Sequence, residues 1–196
     1  LKMGSNTLLI NGPSVGGSDG RPTRYQMGAG FETGLTYLEK IVKATHIIMD
    51  GLSLGGGMMG EAILQHDFTE GMKNKIKYLS ISKVTFSRLS TIAAALVGRI
   101  VLPIFYIVGA ELDGVAAAKK LSQLGISQII IQHTSKDATG TDDVIPDNVS
   151  LAYEVHQDPT MTNKIFLESE HISHSEFPVD IENQLNGHIK QFLNTA

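Results

Sequence analysis

The sequence contains no cysteine in its 196 residues, which excludes a disulfide framework, a thiolate nucleophile and any sulfur-ligated zinc or iron-sulfur centre. Either redox compartment is compatible with that absence. Runs of lysine and arginine are also missing: 16 basic residues stand against 20 acidic ones, for a formal net charge of -4. Such a balance leaves no electrostatic footprint for nucleic acid or an anionic membrane surface, so neither is expected as a partner. No clean apolar run reaches the roughly 20 residues of a membrane span, because Arg99 and Pro103 interrupt the one stretch that approaches it, residues 92–110. The opening "LKMGSNTLLING" shows neither a charged segment followed by a longer apolar one nor a small-residue cleavage site. The expected location is therefore cytoplasmic, or reached by export without a cleaved signal. The opening itself reads as an excised beginning.

What is present is enough for one core: 42% of residues are hydrophobic, and residues 1–196 read as a single domain. Short apolar runs bounded by turn residues recur as "TLLI" (7–10), "HIIM" (46–49), "KYLSI" (77–81), "QIII" (128–131) and "KIFL" (164–167), and these are five expected strands. Helical stripes lie between them: Phe31, Leu35, Leu38 and Val42; then Val115, Ala118, Leu121 and Leu124, stopped by Gly125; then Ile181, Leu185, Ile189 and Phe192, with Asp180 as N-cap. Alternation of strand and helix predicts an α/β fold with a mainly parallel sheet covered on both faces. In such sheets the working residues collect beyond the carboxyl ends of the strands.

One such end carries "HIIMDGLSLGGGMMGEA". Gly51-Leu52-Ser53-Leu54-Gly55 matches G-x-S-x-G between an expected strand and an expected helix, the context in which this pattern presents a nucleophilic serine. A sharp strand-to-helix reversal brings backbones together on both sides of the serine, so small residues are expected at Gly51 and Gly55. Gly56 and Gly57 then let the helix pass close to the sheet. The Leu54 N–H, at the helix's amino end, would face a developing oxyanion. Glycine-rich turns also cradle phosphates, but "GLSLGGG" lacks both the G-x-G-x-x-G spacing and a P-loop lysine.

A serine hydroxyl needs a histidine to take its proton and a carboxylate to orient that histidine. After "QIII" come Asp137, Asp142, Asp143 and Asp147; after "KIFL" come His171 and His174. The order Ser, Asp, His is that of an α/β-hydrolase. Aspartates also cap turns. His171 and His174 beside Glu170 and Glu176 lack both the usual helical zinc spacing and a third ligand, so no metal is expected. His46, His66, His133, His156 and His188 read as structural.

These motifs make the chain resemble the α/β-hydrolases of the serine esterase and lipase type. The resemblance implies a single α/β-hydrolase domain that lacks the amino-terminal strands of the fold and carries lid helices over residues 88–112. It gives the acid role to Asp142, because "Asp142-Asp143-Val144-Ile145-Pro146" matches a D-x-V-I-P turn, with Asp137 as the alternative. It gives the base role to His171 in "Glu170-His171-Ile172-Ser173", with His174 next and without the glycine that often precedes this histidine. "NGPSVGGSDGRPTRYQM" together with the serine turn is similar, more narrowly, to lipase-like proteins of intracellular bacterial pathogens, among them secreted effectors and uncharacterised chlamydial hydrolases.

In that family the second oxyanion donor comes from a loop after an earlier strand, which here would lie before Leu1. Either a second polypeptide segment completes the sheet, or "TLLI" takes that strand's place and "GPSVGG" forms the hole through Ser14 or Val15, since Pro13 has no N–H. The resulting expectation is a cofactor-independent serine hydrolase acting on a small or lipid-like carboxylic ester or thioester. The alternatives are a catalytically inactive hydrolase fold used as a binding module or effector domain, and a Rossmann-like nucleotide binder.

Overall fold

Runs rich in isoleucine with little alternation suit strands covered on both faces, and four of the five expected runs form a sheet. The computed structural model describes residues 6–98, 110–134, 142–170 and 173–194. Its strands β1 (His46–Leu52), β2 (Lys77–Lys83), β3 (Ser127–His133) and β4 (Lys164–Ser169) pair in sequence order, every pair parallel. Parallel neighbours require crossovers. These are α2 (Leu54–Gln65) and α3 (Thr69–Lys73) after β1, α4 (Leu89–Val97) and α5 (Gly114–Gln123) after β2, and α6 (Leu151–His156) after β3; α1 (Arg24–Tyr37) precedes the sheet and α7 (Val179–Leu193) follows it. On one face Ile47 and Met49 lie under Met59 and Ile63 of α2 and Leu121 of α5. On the other, Leu79, Ile81, Ile129 and Ile131 lie under Ile181 and Ile189 of α7.

Three expectations are corrected. "TLLI" is not a strand; a Cβ on Gly34 would come 2.6 Å from Ile10 Cδ1 and one on Gly30 3.3 Å from Ile10 Cγ2. Its apolar residues therefore serve a groove on α1 rather than a ladder, and Leu9 is left exposed. Val42 leaves its stripe because the helix widens to a π-helix over Leu38–Val42, and it ends half-exposed. Asp180 is not the cap of α7: Pro178 occupies that position and Asp180 sits in the first turn, where a carboxylate favours the helix dipole. The stripe closed by Gly125 holds, with Ala118 and Leu121 buried and Gly125 at φ 71°.

The expected lid region is only partly within the described residues, since 99–109 lie outside them. Within it, α4 buries Ile92 and leaves Leu96 60% and Val97 69% exposed. Among the described residues no helix is long and apolar enough to cross a membrane.

Helix α2 bears Ser53 at its amino end and is fixed at both ends. At its carboxyl end His66 is buried, with Nδ1 3.3 Å from Glu32 and Nε2 2.8 Å from Glu39. Tyr78 of β2 donates to the same Glu39 oxygen at 2.5 Å, and burial followed by that carboxylate pushes its phenol above the ordinary range. Lys120 Nζ donates to the Leu64 and His66 carbonyls at 3.0 and 2.8 Å. At the amino end α2 presses on the sheet. A Cβ on Gly51 would meet backbone atoms of Gly55 and Gly56 at 2.6–2.8 Å, one on Gly56 would meet Thr85 Oγ1 at 2.7 Å, and one on Gly57 would meet Phe86 at 2.6 Å.

Gly55 departs from the sequence reading, for a Cβ there meets nothing within 4 Å. The tight partner of Gly51 is Gly56. Gly51→Ala is accordingly expected to cost about 3 kcal/mol by overpacking against backbone, lowering the midpoint of thermal unfolding by roughly 6 to 12 °C for a chain of this size. Gly55→Ala should leave it unchanged or raise it, by up to about 1 kcal/mol of helix propensity. Circular-dichroism melts of the two variants check this, and equal effects would refute the steric assignment.

Candidate active site

The strand-to-helix reversal leaves Ser53 no ordinary conformation. It sits at φ 52°, ψ -120°, a region where a residue with a Cβ is strained and is retained only when its surroundings force it. The forcing contacts are visible. The Ser53 N–H donates to the Lys83 carbonyl at 2.9 Å, and the Ser53 carbonyl accepts from the N–H groups of Gly56 and Gly57 at 3.0 and 3.4 Å and from the Thr85 hydroxyl at 2.7 Å. Leu52 and Leu54, on either side, are 41% and 47% exposed, so the serine stands in an apolar rim.

Leu54 is the first residue of α2, and first-turn N–H groups have no partner within a helix. Thr23, Asp113 and Ser150 cap α1, α5 and α6 with their side chains, while α2, like α3, α4 and α7, has no such cap. No N-cap side chain therefore covers the amino end of α2 beside Ser53. In the 12–20 loop, Gly12 lies against α2: a Cβ there would be 2.8 Å from Met58 Cε. Of the two donors expected in this loop, the Val15 N–H is committed to the Gly12 carbonyl at 3.2 Å. Ser14 stands at φ 61° with its hydroxyl on the Gly20 carbonyl at 2.6 Å.

After β3, Asp142 is held from two sides. Its side chain is fully buried, and Oδ1 accepts the Val144 and Ile145 N–H groups at 2.9 and 2.7 Å. Both carboxylate oxygens lie 2.9 Å from Nδ1 of His174, which follows β4. The neighbouring Asp143 accepts the His174 backbone N–H at 3.0 Å. Nε2 of His174 is buried and has no hydrogen-bond partner among the described residues.

Asp142 is thus brought to His174, the second of the two expected histidines; His171 and Asp137 lie outside the described residues. Asp147 begins a 3-10 turn over Asp147–Val149, where burial raises its carboxyl above the usual range. Asp143, a candidate acid in the sequence, instead holds the His174 backbone, and the residue that sequence reasoning missed is Thr85, which no motif marks. Of the histidines read as structural, His66 is the buried ligand of two glutamates, His46 stacks edge-on to Phe192 at 5.3 Å, and His156 packs on Phe166 at 5.1 Å. Ser53, Asp142 and His174 all lie beyond the carboxyl ends of β1, β3 and β4, where a parallel sheet opens to ligands.

Solved structures share this arrangement of chain. An esterase of Pyrococcus furiosus superposes with a TM-score of 0.50 at 11% identity, over 86% of this chain and 60% of its own. An acylaminoacyl peptidase of Pyrococcus horikoshii gives 0.53 at 15%, over 90% and 30%, and an esterase of Exiguobacterium antarcticum gives 0.51 at 12%, over 92% and 78%. At these identities the likeness establishes the α/β-hydrolase fold, and the chain spans less than two thirds of the first two proteins. No curated protein sequence matches. The family model described as Chlamydia CHLPS protein (DUF818) matches residues 1–194, and the chain belongs to that family.

Proposed function

We propose that the protein is a serine hydrolase that cleaves a carboxylic ester or thioester through an acyl-enzyme. The observation that carries this reading is the Asp142–His174 pair, its Nε2 without a partner among the described residues, at the same end of the sheet as a strained serine. In the proposed cycle Ser53 Oγ attacks the acyl carbon and gives its proton to His174 Nε2. Asp142 fixes the tautomer and orientation of the imidazole, and the Leu54 N–H receives the oxyanion. The imidazolium then protonates the leaving alkoxide or thiolate, and water, activated by the same nitrogen, releases the acid. Every step uses groups of this chain, without a cofactor.

The exposed Leu52, Leu54 and Val144 at this end, with Leu96 and Val97 on α4, support an acyl chain as the part of the substrate that is recognised. On the sheet, β1 is hydrogen-bonded only to β2 among the described residues. A second polypeptide segment pairing along its free edge is part of the proposal.

Treatment of the folded protein with a fluorophosphonate should place an adduct on Ser53, located by mass spectrometry and absent in Ser53→Ala. His174→Ala should lower ester turnover by about 10,000-fold or more, and Asp142→Asn by about 10,000-fold. A folded protein that takes no label would instead support the inactive binding module. For the acyl group, Leu96→Glu with Val97→Glu should reduce kcat/KM for a twelve-carbon p-nitrophenyl ester by roughly tenfold or more while leaving the four-carbon ester within about threefold. An unchanged chain-length profile would sink the acyl-chain assignment.

A further inference from the structure

The turn that follows β2 is strained in a way that the chemistry proposed above does not use. Val84 has φ 39° and is fully buried, a conformation that a β-branched residue almost never adopts. It is pinned there, its N–H donating to the Ile131 carbonyl at 2.8 Å. The next residue, Thr85, is also buried, and its carbonyl accepts the Leu151 N–H at 2.8 Å. The bend aims the Thr85 hydroxyl at Ser53, where it donates to the main-chain carbonyl at 2.7 Å.

That carbonyl belongs to the same planar peptide group as the Leu54 N–H. A hydrogen bond to its oxygen fixes the direction of the N–H on the other side, and draws electron density across the amide so that the N–H becomes the stronger donor. The Ser53 N–H, held by Lys83, fixes the preceding peptide. We infer that Thr85 is a positioning residue for the oxyanion donor: it orients and polarises the Ser53–Leu54 peptide from behind, and the strain at Val84 is maintained because it delivers this hydroxyl. The inference rests on the serine-hydrolase reading.

The fit of Gly56 makes the geometry demanding. A Cβ at Gly56 would be 2.7 Å from Thr85 Oγ1, 2.9 Å from its Cβ and 3.2 Å from its Cγ2, so the threonine fills the space that the glycine leaves open. Thr85→Val keeps that shape and removes the donor, whereas Thr85→Ser keeps the donor and removes a methyl group. The two variants separate packing from hydrogen bonding.

The test is the rate of fluorophosphonate labelling of Ser53, together with kcat and KM for a short p-nitrophenyl ester, on the parent chain, Thr85→Val and Thr85→Ser, with unfolding midpoints measured in parallel. Thr85→Val is expected to label roughly 10- to 100-fold more slowly, with kcat reduced to match and KM within about threefold, because an oxyanion donor acts in the transition state. Thr85→Ser should restore most of the rate even where its melting point is the lower of the two. Should Thr85→Val not fold, Thr85→Ala against Thr85→Ser makes the same comparison. Equal labelling of parent and Thr85→Val, or a valine variant rescued no better by serine than by alanine, overturns the role of Thr85 alone. No labelling of the folded parent overturns the serine-hydrolase reading and this inference with it.

Discussion

The arrangement depends on one steric constraint: β1 must reverse into α2 with almost no space between them. Gly51 and Gly56 meet without side chains, Gly57 clears Phe86, and Ser53 absorbs the reversal at a positive φ. The geometry around Ser53 follows from that approach. Because α2 starts so close to the sheet, its amino end faces the carboxyl ends of the strands, and the hydrogen bonds from the Ser53 N–H to Lys83 and from the Thr85 hydroxyl to the Ser53 carbonyl become possible. A fold that relaxed the turn by 1 or 2 Å would lose the direction of the Leu54 N–H, and orientation of this kind decides how much a donor contributes.

The constraint is costly, and the rest of the helix offsets it. A residue held in a rare region of φ and ψ costs on the order of 1–3 kcal/mol, and Ser53 and Val84 both do so within one hydrogen-bonded unit. Met59 and Ile63 of α2 are almost completely buried, which at about 1.5–3 kcal/mol for each side chain is of the same size as the strain. The carboxyl end is anchored by a polar cluster: Glu32 and Glu39 on His66, Tyr78 on Glu39, and Lys120 on the terminal carbonyls. Helix α2 therefore behaves as a strut, held at the far end so that the near end can be strained.

What the sequence made legible was whatever this constraint writes into residue type. The glycines of the reversal, the serine between them, and the acidic turn ending in Ile145 and Pro146 are local patterns with local causes. What it left illegible depends on approach in three dimensions. His171 and His174 stand three positions apart in the sequence, and the meeting of Asp142 with His174 depends on how the residues that follow β3 and β4 approach each other, including the grip of Asp143 on the His174 backbone. "TLLI" has the composition of a strand but meets the groove over Gly30 and Gly34 first. The π-helix at Leu38–Val42 has no signature, though it carries Val42 out of its stripe and Glu39 toward Tyr78. Thr85 was invisible because a hydroxyl serving a backbone carbonyl 32 residues away leaves no spacing to read.

Among the described residues, His66 and His174 both have carboxylate partners but differ in how the two ring nitrogens are met. His66 has a glutamate at each ring nitrogen. That is how a buried imidazole contributes to stability, since an unsatisfied polar atom costs about 1–3 kcal/mol. His174 is as firmly held on one side, by both oxygens of Asp142, yet its Nε2 is buried with no partner among the described residues. His46 also has a buried Nε2 without a partner among the described residues, but its Nδ1 meets only the Thr45 hydroxyl at 3.1 Å, so what sets His174 apart is the buried carboxylate on its Nδ1. The serine-hydrolase cycle proposed above asks that arrangement of its base: a settled tautomer at Nδ1 and a lone pair at Nε2 that can take a proton.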